Sequence, residues 1–341
     1  MLENLLYICL TIKWHKMENF QTYNPTHLYF GKDVISEIGR CIEPYSKNVL
    51  LIYGKGSVKK NGIYEKVVSQ IVRHGIKIYE YCGIKSNPVF EDVDAAAELA
   101  RKNNVGMIVA LGGGSVIDTA KMVAVTACVN HSSWDFFIKK IHVQKALPLI
   151  CVLTLAATGS EMNSYAVIQN DATGQKLSFG HPLVFPKYAF LDPSYTISVP
   201  ADYTAYGITD IVAHALEAFF GKGQADLSDK IICDIIKECI IKGPMLLKNL
   251  DNYELRADIM LAATLALNGT TMYGRAYGDW GVHGIGHVLS SMYDLPHGAS
   301  LSITYPAWLK HHKIVLNQRI SKLGKLLFDT EDTNDTIDKL I

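Results

Sequence analysis

Three histidines fall within GDWGVHGIGHVLSSMYDLPHG (278–298): His283, His287 and His297. His283 and His287 are four residues apart, a spacing that places both on one face of a helix. Pro296 disfavours helix at Leu295, so His297 opens a new segment that can fold back toward His283. The pattern lacks the glutamate of the metalloprotease H-E-x-x-H motif. Upstream, ITDIVAHALEAFF (208–220) sets Asp210 and His214 four apart as well. Alone, that pair reads as a helix-stabilising contact; together with the three histidines it reads as part of a metal site. Asp210 with His214, His283 and His297 would supply one carboxylate and three imidazoles, a mixed oxygen and nitrogen set that suits Fe(II) or Zn(II). His287 would then stand near the metal without binding it, where it could relay a proton or orient a substrate. The glycines between the histidines are expected to keep side chains clear of metal and cofactor.

A second group of residues points to a phosphate-bearing ligand. LGGGSVIDTAK (111–121) follows a strand pattern and opens a helix. Gly112, Gly113, Gly114 and Ser115 would let the backbone approach an anion at the positive end of the helix dipole. The motif is neither G-x-G-x-x-G nor a Walker A loop. YGKGSVKKNG (53–62) is another glycine-bearing turn after a strand, carrying Gly54, Lys55, Gly56 and Ser57. Dinucleotide folds use an acid near such a strand end to hold a ribose 2′-hydroxyl. This turn has lysines and no acid, which predicts NADP(H) over NAD(H). TLAATGSE (154–161) adds Thr154, Thr158 and Ser160 as hydrogen-bonding groups after a third strand.

These residues need a scaffold, and the hydrophobic patterning supplies one. Apolar strand patterns at 48–53, 76–81, 106–111, 148–154 and 188–192 alternate with helical spacing at 62–75, 90–104 and 115–128. That rhythm predicts a parallel sheet covered by helices. The segment 166–179 breaks it with an Asn-Asp-Ala-Thr-Gly hairpin signal. Beyond residue 199 only helical spacing follows. The predicted organisation is an α/β nucleotide-binding domain over 17–198, an all-helical metal-binding domain over 199–341, and an unstructured extension over 1–16.

Composition narrows the function classes. The 33 basic and 33 acidic residues cancel, which removes any global electrostatic attraction to nucleic acid. The apolar run at 5–12 is too short to span a membrane. Seven cysteines, with no C-x-x-C pair, fit reduced thiols in a cytoplasmic protein.

YFGK, YGKGSVKKNG, NPVFEDV, LGGGSVIDTAK, TLAATGSEMN, LDPSYT, TDIVAHALE and the 278–298 stretch occur in this order. In these motifs the chain resembles the iron-containing (group III) alcohol dehydrogenases, most closely their NADPH-dependent butanol dehydrogenase and aldehyde reductase branch. The resemblance runs from Met17 onward. It implies a Rossmann-like N-terminal domain and an all-α C-terminal domain, the fold shared with dehydroquinate synthase. It places the metal ligands on Asp210, His214, His283 and His297, and the neighbouring histidine on His287. It places pyrophosphate at Gly112–Ser115 with Asp118 behind, and further cofactor contacts on Asn87, Thr154, Thr158, Lys176, Tyr165 and Thr196. The position that selects NAD in the family falls on Lys55. A small aldehyde or primary alcohol substrate, an iron ion with zinc as the alternative, and a homodimer are also implied. Members of the family usually continue through several helices past LFDTEDTNDTIDKLI, so a shortened helical domain is expected here. An inactive or binding-only paralogue is therefore the alternative reading. A dehydroquinate-synthase-like lyase is disfavoured, because 278–298 holds no basic side chain for a phosphorylated substrate.

Overall fold

The computed structural model describes residues 17–139 and 141–341; the extension expected over 1–16 lies outside the described residues. The first half of the chain runs β1 (His27–Phe30), α1 (Ile38–Ile42), β2 (Asn48–Gly54), α2 (Ser57–Lys60), α3 (Ile63–Val72), β3 (Lys77–Ile84), α4 (Phe90–Lys102), β4 (Met107–Gly112), α5 (Gly114–Thr126), α6 (Trp134–Ile138), β5 (Leu149–Leu153), β6 (Tyr165–Asn170), β7 (Gln175–Gly180) and β8 (Tyr188–Leu191). Six strands form one parallel sheet in the order β1-β8-β5-β4-β2-β3, and β6 and β7 form the separate antiparallel hairpin.

The strand sequences explain their places. Every residue of β4 and β5 is buried, as expected for central strands covered on both faces. Alternate residues serve opposite faces. Leu50, Ile52, Ile108, Ala110 and Cys151 pack under α4 and α5. Val49, Leu51, Val109, Ile150 and Val152 pack with residues of α1 and α3 on the other side. β1 has no sequence prediction because HLYF is a four-residue, partly exposed edge strand with no buried run. Chain direction across the sheet reverses between β2 and β4. Open α/β sheets bind ligands at that switch point, beyond the carboxyl ends of the strands.

The second half is helical: α7 (Ala201–Phe220), α8 (Asp226–Lys248), α9 (Tyr253–Leu267), α10 (Gly281–Tyr293), α11 (His297–His312), α12 (Asn317–Phe328) and α13 (Thr333–Leu340). Ile211, Leu216, Phe219, Ile232, Ile236, Leu301 and Trp308 belong to its core. Among the described residues no helix is long and apolar enough to cross a membrane.

The glycines of the histidine-rich stretch serve this packing. A Cβ on Gly298 would lie 2.1 Å from the Tyr206 carbonyl oxygen, and one on Gly286 would lie 2.9 Å from Leu301 Cδ2. The first lets α11 start directly against α7, and the second lets α10 close on α11. At these two positions the glycines thus clear space for neighbouring helices, and Gly298 also lines the cleft that runs to Asp210. Their cost to helix stability is about 1 kcal/mol each relative to alanine, offset by the contact they permit.

Candidate metal and nucleotide site

α7 aligns three buried polar side chains: Asp210, His214 and Glu217 at i, i+4 and i+7. α10 brings His283 and His287 to them. The helix ends at Asp294 in the left-handed conformation, the chain turns through Pro296, and His297 begins α11. The predicted break and return at Pro296 therefore occurs as expected.

These elements converge on Asp210 Oδ1. It lies 3.5 Å from His214 Nδ1, 3.7 Å from His283 Nε2 and 3.6 Å from His297 Nε2. Donor atoms of Asp210, His283 and His297 all lie within 4.8 Å of one another. His214 flanks this trio, its ring stacked on His283 with centroids 4.6 Å apart. Asp210 Oδ1, His214 Nδ1 and His283 Nε2 are buried and have no hydrogen-bond partner. Buried polar atoms left unsatisfied are costly, on the order of 1–3 kcal/mol each. Several of them aimed at one point form the donor set of a cation. A carboxylate with imidazoles fits Fe(II) or Zn(II), so the residues present fit the metal that the motifs imply.

Glu217 prepares the site. Its Oε1 accepts from His283 Nδ1 at 2.8 Å and from the His283 backbone N–H at 3.0 Å. With its proton held on Nδ1, His283 turns Nε2 toward Asp210, as carboxylate-bound metal ligands do. The Glu217 role is absent from the sequence reading, although its spacing of seven from Asp210 carries the signal.

The charges agree with this arrangement. Burial opposes ionisation of Asp210, but His214, His297 and His283 outweigh it and hold the carboxyl below the usual range. Burial also works against a charged His283, yet the Asp210 and Glu217 carboxylates raise it to about 9. A cation entering here would displace that proton. Burial, reinforced by the Lys176 charge, pushes His287 down to about 3. Its ring lies 5.4 Å from that of His297, beside the donor trio.

A cleft of about 500 Å³ opens at the β2/β4 switch point and reaches Asp210 and His297. Gly54, Lys55 and Ser57 line it after β2, Gly112, Gly113, Gly114 and Ser115 after β4, and Thr154 and Thr158 after β5; Asp210 and His297 line its far end. No side chain caps the first turn of α5, which leaves its backbone donors for an anion. Lys85, after β3, also lines the cleft and had no part in the sequence reading.

Other predicted contacts sit elsewhere. Gly56 shapes the turn with φ 123° and does not line the cleft. Thr196 is buried and donates to the Pro193 carbonyl, and Tyr165 is exposed at the start of β6; neither lines the cleft. Asp118 accepts from Ser160 Oγ at 2.6 Å and from the Val167 N–H at 2.9 Å, so it braces the threonine loop and the hairpin from behind. Fully buried Lys121 shares this task, donating to Ser160, Asn163 and the Tyr165 carbonyl. Asn87 and Lys176 are brought together, but they bond each other at 2.9 Å.

Comparison with known proteins adds a family to this geometry. The model for iron-containing alcohol dehydrogenase matches residues 25–193, and that for the C-terminal part of the Fe-containing alcohol dehydrogenase family matches residues 204–341. The chain is 39% identical over 325 residues to a probable NADH-dependent butanol dehydrogenase of Bacillus subtilis (strain 168), spanning 95% of this chain and 84% of the relative. It is 38% identical over 323 residues to the NADPH-dependent aldehyde reductase of Escherichia coli (strain K12), spanning 94% and 82%. The crystal structure of NADH-dependent butanol dehydrogenase A from Thermotoga maritima superposes with a TM-score of 0.92 at 40% identity, covering 95% of this chain and 82% of that one.

Proposed function

Because the chain belongs to the iron-containing alcohol dehydrogenase family and is an alcohol dehydrogenase of the nicotinamide- and metal-using kind, we propose that it interconverts small aldehydes and primary alcohols, such as butanal and butanol, with NADP(H). The observation that carries this reading is the single cleft running from the β2 and β4 turns to Asp210 and His297. A dinucleotide laid along it would have its phosphates at Gly112–Ser115 and its reactive ring beside the donor trio. When bound, the nicotinamide supplies hydride and the metal supplies Lewis acidity.

The chain's own residues do the rest. Asp210, His283 and His297, flanked by His214, hold the cation, and Glu217 keeps His283 in the right tautomer. The glycine loop and the open first turn of α5 hold the pyrophosphate. Lys55 and Lys85 both line the cleft near the ends of β2 and β3, and no acid of the β2 turn opposes them. That charge favours a ribose 2′-phosphate, and it supports NADP(H) where the named relatives divide between NADH and NADPH. His287, neutral at pH 7, can accept a proton at one ring nitrogen while releasing one from the other. Holding aldehyde and nicotinamide in contact accounts for the rate advantage of a bound pair over free reactants.

The test is direct. Purified protein loaded with Fe(II) should oxidise NADPH in the presence of butanal, with a higher kcat/KM for NADPH than for NADH. No aldehyde-dependent oxidation of either nucleotide would refute the activity, and a preference for NADH would refute the cofactor assignment.

A further inference from the structure

Asn87 lies in the Asn-Pro turn after β3 and is only 4% exposed. Its Nδ2 donates to Asp294 Oδ1 at 2.8 Å and to the Leu295 carbonyl at 3.4 Å, and its Oδ1 accepts from Lys176 Nζ at 2.9 Å. The nucleotide domain thus grips the corner between α10 and α11. Asp294 closes α10 with φ 50° and ψ 36°, a backbone region that few side chains other than Asp and Asn tolerate. Three residues later comes His297, whose Nε2 faces Asp210. A second tie joins the same elements: Ser291 Oγ on α10 donates to the Gly174 carbonyl at the hairpin tip, 2.8 Å away.

We propose that Asp294 is a positioning residue for the metal centre: by accepting the Asn87 amide it fixes the corner that aims His297 at Asp210. The inference rests on the metal reading given above. Its physical basis is pre-organisation. His297 hangs on a short turn whose side-chain anchor lies in the other domain. Without the anchor the corner samples more orientations, and apparent metal affinity falls with the fraction that remains competent.

Co(II) titration of the chelator-treated full chain tests this, read by visible absorption and by competition with a chelator. The wild type is expected to bind one equivalent. Asp294→Gly removes the acceptor but keeps the left-handed backbone, and it should weaken Co(II) binding by about ten- to a hundredfold and alter the ligand-field spectrum. Asp294→Asn keeps both the oxygen and the backbone and should restore most of the affinity. Asn87→Ala should match Asp294→Gly, and the double variant should be no weaker than either alone. If Asp294→Gly does not fold, Asn87→Ala tests the same bond from its other side. Wild-type affinity and spectrum in both acceptor-loss and donor-loss variants would overturn the proposal, as would an Asp294→Asn protein as weak as Asp294→Gly. A wild-type protein that binds no Co(II) would overturn the metal reading and this inference together.

Discussion

Two buried aspartates of the helical domain sit among potential cations, and their surroundings differ in kind. Asp229 on α8 is saturated. Arg275 donates to Oδ1, Arg319 donates to both oxygens at 3.0 and 2.8 Å, and Lys322 lies 2.8 Å from Oδ2. Asp210 on α7 faces three imidazoles, yet its Oδ1 has no hydrogen-bond partner and the histidine nitrogens stop at 3.5–3.7 Å. The first arrangement finishes a network that joins α8, the 271–275 turn and α12. The second holds its donors apart around a point that none of them fills. Completion marks a structural ion cluster, and converging incompletion marks a site for something else.

Substitutions should separate the two. The largest effect is expected at Asp210→Asn, which should lower kcat/KM on the order of 10⁴-fold, about 5 kcal/mol. A variant that keeps its activity would end the distinction. Asp229→Asn should do the reverse, costing about 3–5 kcal/mol in stability because Arg275 and Arg319 lose their buried partner. Denaturant titration reads this, while turnover per folded molecule should stay near wild type.

The pH dependence of stability sharpens the same contrast. Burial alone would raise the Asp229 pKa, but Arg319, Lys322 and Arg275 bring it down to about 2. A carboxyl depressed below its unfolded value of about 3.9 contributes stability above that value, which is lost as pH falls through the folded pKa. Between about pH 4 and 2 the wild type should lose on the order of 2–3 kcal/mol from this group, and Asp229→Asn should lack that component. Equal acid profiles for the two proteins would contradict the assignment.

Two smaller effects probe the supports of the site. Glu217→Gln should weaken metal binding by about ten- to a hundredfold, measured by competition with a chelator, because the amide holds the His283 proton less firmly. Lys55→Ala should raise the KM for NADPH by about tenfold, roughly 1.4 kcal/mol, with little change for NADH. A uniform change for both nucleotides would place Lys55 away from the 2′-phosphate.

Much of this was readable in the sequence, and the remainder fails for identifiable reasons. β2, β4 and β5 announce themselves because strands buried on both faces are nearly continuous apolar runs. The histidines are legible because two of them keep helical spacing and Pro296 forces the third to return. The edge strand β1 lacks the buried run that marks a strand. Glu217 passes for an ordinary helical charge until the structure shows His283 beside it. The Asn87–Asp294 bond spans 207 residues and has no local signature. Motif position alone singles out Tyr165 and Thr196, and a motif does not carry which residues line the cleft.

The central claim is that the incomplete cluster around Asp210 holds the catalytic cation. The most direct measurement is an anaerobic titration of chelator-treated protein with Fe(II), with bound metal per chain and butanal-dependent NADPH oxidation followed in the same samples. Activity should rise in proportion to bound metal and level off at one ion per chain, and Asp210→Asn should show neither binding nor activity. Full turnover by protein verified to be free of metal would contradict the account.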